Sequence, residues 1–125
     1  MSVDSTEIKS VDVLIEKVLK WSYDRRIIQE STAKDQFLKA SSEMGELADS
    51  ILKGDRQGAV DDFGDVLVCL INAAEIMKIP LQEALEHAYN EIKDRKGVMF
   101  NNCFVRSTDP NYPRIMQALG IEEDE

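Results

Sequence analysis

The stretch Ser42-Glu43-Met44-Gly45-Glu46 is followed, across a turn at Gly54, by Asp61-Asp62-Phe63-Gly64-Asp65. Each half has two carboxylates three residues apart, and residues with this spacing lie on one face of a helix. Glu46 and Asp62 are each eight residues from Gly54, and Glu43 and Asp65 are each eleven residues from it. Because an α-helix rises about 1.5 Å per residue, two antiparallel helices joined at Gly54 would bring the acids to matching heights. We predict that this hairpin brings four carboxylates together.

Composition limits the kind of protein this can be. The chain has 125 residues, of which 43% are apolar, as expected for one domain with its own core. Its 24 acidic and 15 basic residues give a net charge of −9, which disfavours binding to nucleic acid or to an anionic membrane. No run approaches the roughly 20 apolar residues of a membrane-spanning helix, and residues 1–7 do not have the pattern of a leader. We expect a cytoplasmic protein.

Cysteine usage agrees with a reducing compartment. Cys69 and Cys103 are far apart, and Cys69 lies in an apolar run. The spacing favours reduced thiols in the core over a disulfide or a zinc motif.

Apolar residues at helical spacing predict four helices. The first follows the polar residues 1–9, and residues 27–32 are predicted to be a connector. The second begins at Thr32, which with Asp35 resembles a capping box, and ends at Gly54. The third runs from about residue 56 or 59 to 78, and the fourth from about residue 81 to 94, with Leu81, Leu85, Ala88 and Ile92 inward. Asn101-Asn102 then predicts the turn of a short β-hairpin, followed by a tail with one short helix at most.

The third helix has no charged residue between Asp65 and Glu75. A helix that is apolar on all sides is typically buried on all sides. Because a bundle of 125 residues has difficulty surrounding a helix completely, we expect a second subunit to cover part of it.

The four acids predict a metal site. Four like charges in one place would repel each other unless a cation neutralised them. Oxygen ligands favour a hard ion, Mg²⁺ or Mn²⁺, over zinc, and such sites commonly bind phosphates. The sequence has no glycine-rich phosphate loop, so basic side chains would assist the metal. The candidates, which could equally be ordinary surface residues, are Lys39, Lys93, Arg95 and Lys96.

The sequence resembles the MazG-like all-α nucleoside triphosphate pyrophosphohydrolases, a superfamily that includes MazG, the dCTP pyrophosphatases and phosphoribosyl-ATP pyrophosphatase. The resemblance rests on Glu43-x-x-Glu46 and on the acidic pair that ends at Asp65, and it covers about residues 15–106. Ser42 and Asp62 stand where the family usually has Glu. Further matching segments are Phe37-Leu38-Lys39, Gly45-Glu46-Leu47-Ala48, Phe63-Gly64-Asp65-Val66-Leu67-Val68, Asp94-Arg95-Lys96-Gly97 and Asn101 to Val105.

The resemblance implies an all-α, four-helix MazG-like bundle with a small β-hairpin over residues 1–106, a tail over 107–125, and assembly as a dimer or tetramer. It also implies cleavage between the α- and β-phosphates of a nucleoside triphosphate, as housecleaning of the nucleotide pool. One or more Mg²⁺ ions would be held by catalytic carboxylates, one of which activates water: Glu43, Glu46, Asp62 and Asp65. Residues that would bind substrate are Lys39, Trp21, Asn90, Lys93, Arg95 and Lys96, with Trp21 alternatively a core or interface residue.

Three alternatives compete with this interpretation. A ferritin-like di-iron bundle needs Glu-x-x-His pairs, but the residue three positions before His87, the histidine of this chain, is Ala84, so the sequence does not fit this alternative. A helical oligomer that binds Mg²⁺–nucleotide or a partner without turnover is favoured only by Asp62. A phosphoribosyl-ATP pyrophosphatase is the nearest enzymatic alternative, although residues 95–105 look more like the MazG-like branch.

Overall fold

A computed structural model describes residues 9–122, which fold into helices and one β-hairpin. The predictions for residues 1–8 and 123–125 lie outside this range. The chain forms two compact units, with the boundary between Glu83 and Ala84. The elements are α1 (Val11–Asp24), α2 (Ile27–Glu30), α3 (Ala33–Lys53), α4 (Arg56–Ile76), α5 (Leu81–Ile92), β1 (Gly97–Phe100), β2 (Cys103–Arg106) and α6 (Tyr112–Leu119).

The ends of α3 and α4 are set by local chemistry. The Thr32 hydroxyl accepts a hydrogen bond from the Asp35 backbone N–H at 3.0 Å, which confirms the predicted start of α3. Gly54 ends α3 with a φ of 69°, a left-handed conformation that glycine adopts without steric cost. Asp55 then caps α4 by accepting from the Gly58 N–H at 2.9 Å. The two helices therefore reverse direction within a few residues, as the sequence predicted.

The first unit is built on the packing of α3 against α4, its most extensive interface, with α1 and α2 also packed on α4. Ala40, Val66, Cys69 and Ile71 form its buried apolar residues. The predicted connector after α1 contains the one-turn helix α2, so residues 27–30 are more regular than expected.

A buried polar chain joins three helices of this unit. The Ser22 hydroxyl of α1 donates to Asn72 Oδ1 of α4 at 2.7 Å, and Asn72 Nδ2 donates to Gln36 Oε1 of α3 at 3.3 Å. Ser22 is fully buried and Asn72 is 3% exposed. Since an unpaired polar group at such a site costs about 1–3 kcal/mol, these bonds favour one relative placement of α1, α3 and α4.

Val66 and Cys69 of α4 are buried, but Phe63 and Leu67 are more than half exposed, so this chain alone covers only part of α4, and its cover by a second subunit stays a prediction. Two other predictions about burial were wrong. Leu85 and Ile92 of α5 are also largely exposed, rather than inward. Cys69 is a buried free thiol as predicted, whereas Cys103 is free and exposed in the hairpin. In each case the sequence identifies an apolar side chain but does not show whether residues of the same chain bury it.

The second unit contains the predicted hairpin. β1 and β2 pair antiparallel, with Gly97 opposite Arg106 and Phe100 opposite Cys103. Asn101 and Asn102 have φ values of 50° and 65°, as a two-residue type I′ turn requires. The predicted short helix of the tail is α6, which packs on β1. Within residues 9–122, no helix is long and apolar enough to cross a membrane.

The buried polar chain can be tested with Ser22→Ala. The variant removes the donor to Asn72 Oδ1 and leaves that oxygen unpaired, which should lower the free energy of unfolding by about 2 kcal/mol. Urea denaturation followed by circular dichroism measures the change. The control, Ser42→Ala, alters an exposed serine of α3 and should change stability by less than about 0.5 kcal/mol. Equal stability of the two variants would contradict the role given to this chain of bonds.

Candidate active site

The pKa of Glu43 depends on its neighbours among the predicted carboxylates. It is raised above its ordinary value, chiefly by hydrogen bonding to Glu46, one turn along α3; partial desolvation and the negative charges of Glu46 and Asp65 add to the rise, and Lys39 opposes it. Glu43 of α3 therefore lies within electrostatic reach of Asp65 of α4, whereas the meeting of all four carboxylates stays a prediction.

Asp62 is held differently from the other three acids. The Ser50 hydroxyl of α3 donates to Asp62 Oδ2 of α4 at 2.6 Å, in a partly buried position. Ser50 lies one helical turn beyond Glu46 toward Gly54, so the Asp62 carboxylate is drawn toward the turn. Asp61, its neighbour, is exposed and accepts a bond from Gln57 at 3.4 Å.

Glu43 and Asp65 line a pocket of about 550 Å³ between α1, α3 and α4. Lys39 and Trp21, both predicted to bind substrate, line the same pocket. The pocket therefore has an acidic side, with Lys39 next to the acids, and a mostly apolar side that also contains Lys17. The remaining lining residues are Leu14, Lys17, Val18, Val68 and Cys69.

Trp21 and Cys69 both line this pocket, but Trp21 is half-exposed and Cys69 is buried. Trp21 is 46% exposed, and the Arg25 guanidinium lies 4.5 Å from its ring centroid, a cation–π distance. The pKa of the Cys69 thiol is raised chiefly by burial; Lys39 opposes the rise, and Glu43 and Asp65 add to it. Cys69 therefore stays a neutral thiol beside the acidic wall.

The carboxylates near the pocket are the type of ligand that Mg²⁺ prefers. As the side chains stand, however, no group of three or more acidic, histidine or cysteine residues within 9–122 could hold a metal ion.

The other predicted substrate-binding residues belong to the second unit. Asn90 lies on α5, and Lys93, Arg95 and Lys96 follow it; all four are exposed. Arg95 and Lys96 line a separate cavity of about 240 Å³ together with residues of β1 and α6. Their role toward the acidic pocket stays a prediction.

Sequence reasoning assigned no role to Ser50, although this residue lies one helical turn beyond Glu46 on α3. A hydroxyl at that spacing from the acids is the signal that could have identified it. Leu14 and Val18 of α1 also line the pocket, and their place in its wall depends on how α1 packs, which helical spacing alone does not determine.

Comparison with known proteins identifies the family. Residues 32–100, more than half of the chain, match the MazG nucleotide pyrophosphohydrolase domain, and the chain belongs to this family. The matched segment contains both acidic helices. A curated relative is 32% identical over 62 residues and is described as an uncharacterized 18.2 kDa protein in the rep-hol intergenic region of Haemophilus phage HP1 (strain HP1c1). The match covers 50% of this chain and 38% of that protein. No solved structure matches significantly.

The raised pKa of Glu43 predicts a pH-dependent stability. Because the folded protein holds this proton more tightly than the unfolded chain does, the contribution of Glu43 to stability is present at low pH and is lost as pH rises through the raised pKa. Without metal, Glu43→Gln should therefore become more stable than the native protein as pH rises above 4.5, the ordinary value. Thermal unfolding in EDTA across this range measures the difference.

Addition of Mg²⁺ should reverse this difference in stability, so that the native protein becomes more stable than Glu43→Gln. A bound ion stabilises the native protein by mass action, whereas Glu43→Gln has lost one ligand and should gain less. Asp49→Asn is the control, because Asp49 is an exposed acid of the same helix whose ion pair with Lys53 is worth little. If Glu43→Gln and Asp49→Asn have the same pH dependence, the crowding of charge at Glu43 has no consequence for folding.

Proposed function

We propose that this protein is a Mg²⁺-dependent nucleoside triphosphate pyrophosphohydrolase. Water would cleave a nucleoside triphosphate between its α- and β-phosphates, giving a nucleoside monophosphate and pyrophosphate. The observation that carries the proposal is the pocket in which Glu43 and Asp65 face an apolar wall containing Trp21, with Lys39 beside them. Membership of the MazG nucleotide pyrophosphohydrolase domain family supports it. Removal of surplus or non-canonical nucleotides is the proposed role.

Each part of the pocket has a task in this proposal. Glu43, Glu46, Asp62 and Asp65 would hold the ion, which when bound would neutralise phosphate charge and lower the pKa of the attacking water. One of these carboxylates would accept the proton of that water. Lys39 would offset charge on the phosphate chain. The half-exposed Trp21 ring would stack on the base, which leaves a triphosphate extending toward the acids.

The activity can be tested by incubating the protein with Mg²⁺ and a panel of NTPs and dNTPs, and by measuring pyrophosphate and monophosphate. Glu46→Ala should lower the rate by about 100-fold or more, since losing a metal ligand removes several kcal/mol of charge stabilisation and each 1.36 kcal/mol is tenfold. Glu16→Ala, at an exposed position of α1, should leave the rate unchanged.

The products distinguish the alternatives. Release of pyrophosphate together with a monophosphate supports the proposed reaction. Turnover of phosphoribosyl-ATP alone would instead identify the protein as a phosphoribosyl-ATP pyrophosphatase. Tight nucleotide binding without product would mean a binding protein that does not catalyse hydrolysis.

We also propose that a second copy of the chain covers the exposed apolar side of α3 and α4. At about 100° per residue, the acids and these apolar residues lie on opposite sides of the α3–α4 contact. Several of the apolar residues repeat every seven positions, as in helices that pack side by side. We call the following set the apolar stripe, whose members are 39–60% exposed: Phe37, Met44, Ile51, Val60, Phe63, Leu67, Leu70 and Met77.

The assembly can be tested with Leu67→Glu. A carboxylate in the centre of the apolar stripe would be buried without a partner on both copies, which should weaken association by about 100-fold or more, at 1.4 kcal/mol for each factor of ten. Light scattering after size exclusion should give a multiple of the 14.1 kDa chain mass for the native protein and 14.1 kDa for the variant. Val11→Glu, at a 70% exposed site of α1, should not change the mass. A monomeric native protein would contradict the proposal.

A further inference from the structure

We infer that Lys17 of α1 binds the phosphate chain of the substrate, across the pocket from Lys39 of α3. The inference rests on the proposed function, because it concerns the same pocket. It adds a binding residue that the basic candidates chosen from the sequence do not include, and it comes from a helix that supplies none of the four acids.

Lys17 lies in the part of the pocket wall that α1 supplies. The four residues of this wall follow i, i+3, i+4 and i+7 spacing, so they share one face of α1. They are Leu14, Lys17, Val18 and Trp21. Lys17 is exposed, and a lysine at such a position covers apolar surface with its stem while its ammonium group stays in water. It is therefore the point at which α1 presents a positive charge to the pocket.

The buried polar chain gives a common reference height for the three helices around the pocket. Ser22 of α1, Asn72 of α4 and Gln36 of α3 are joined by direct hydrogen bonds. The lining residues precede Ser22 on α1, precede Asn72 on α4 and follow Gln36 on α3. The three walls of the pocket therefore run in the same direction from the polar chain.

Heights along these walls place Lys17 closer to the acids than to the Trp21 ring. Glu43 and Asp65 are each seven residues from the polar chain, about 10.5 Å at about 1.5 Å per residue. Lys17 is five residues from it, about 7.5 Å, whereas Trp21 is one residue from it, about 1.5 Å. With the base on Trp21, a phosphate chain that extends toward the acids would reach the height of Lys17.

The charge of Lys17 is available to an anionic ligand. Within the part of the chain that the structure describes, Lys17 forms no ion pair. Lys20, three residues later on α1, is instead paired with Asp24 at 2.7 Å and does not line the pocket. Lys39 lines the same space from α3. Two lysines on different walls can thus donate charge-assisted hydrogen bonds to one phosphate chain.

Binding of tripolyphosphate, a phosphate chain without a base, tests the inference by isothermal titration calorimetry in Mg²⁺ buffer. Lys17→Met keeps an unbranched side chain in the wall and removes its charge, so it should weaken binding by about 10-fold, as expected for the loss of one hydrogen bond to a charged group. Lys17→Arg keeps the charge and should retain most of the affinity. The control, Lys20→Met, removes an exposed lysine of the same helix and should bind as the native protein does.

Kinetics show whether the contact serves substrate binding. In the assay of pyrophosphate release, Lys17→Met should raise KM by about 10-fold and leave kcat nearly unchanged, because a bond present in both the bound substrate and the transition state contributes to binding alone. The rise in KM should be similar for every nucleotide that is turned over, since the contact is to phosphate and not to the base.

Three results would overturn the inference: native tripolyphosphate affinity in Lys17→Met, an equal loss in Lys20→Met, or no binding of tripolyphosphate to the native protein. Pyrophosphate release by the native protein, with an unchanged KM in Lys17→Met, would overturn the inference and leave the proposed function intact. Tripolyphosphate affinity that depends on Lys17, without pyrophosphate release from any nucleotide, would instead overturn the proposed function and retain Lys17 as a phosphate-binding residue.

Discussion

The structure depends on the register of α3 against α4. The turn at Gly54 and the cap at Asp55 fix where the two helices reverse, and each later pair of residues is then set by its distance from that turn. This places Glu43 and Glu46 opposite Asp65, and Ser50 within reach of Asp62. A shift of one residue would rotate every acid about 100° away from its partners. The buried bonds among Ser22, Asn72 and Gln36 hold α1 in the place where it completes the pocket.

The negative charges that this register brings together oppose it. Packing places the charges of Glu46 and Asp65 near Glu43, and together with hydrogen bonding to Glu46, the main cause, they raise the pKa of Glu43. In the proposed metal site, protons and a divalent cation would compete for these carboxylates, so metal binding would strengthen as pH rises. The chain as a whole, at a net charge of −9, intensifies this effect because it repels anionic ligands that arrive without a cation. A phosphate-bearing substrate would thus depend on the metal for both binding and reaction.

Features set by short-range chemistry were predictable from the sequence. Thr32 with Asp35 gave the start of α3, Gly54 its end, and Asn101-Asn102 the hairpin turn, since each depends on neighbouring backbone groups. Equal spacing from Gly54 predicted that acids of the two helices would meet; the charge of Asp65 does act on Glu43, whereas Asp62 is bonded to Ser50. Burial was harder to predict. A helix with few charges, such as α4, has the same sequence pattern whether it is buried by its own chain or by another copy. The spacing of Ser50 from Glu46 could have indicated this serine, but its bond to Asp62 also depends on a rotamer and on the space left at Gly58, which the sequence does not show.

The acidic residues and the apolar stripe lie on different sides of the α3–α4 pair, so the proposed assembly affects the candidate active site. One side has the carboxylates and the wall from α1, and the other has the apolar stripe. Since both sides belong to the same two helices, any partner that packs on the apolar stripe also restrains the helices that position the acids. Burial of that stripe would oppose separation of α3 from α4, which repulsion between Glu43, Glu46 and Asp65 favours when no cation is bound. The proposed association on one side and the proposed charge neutralisation on the other would thus stabilise the same helical register.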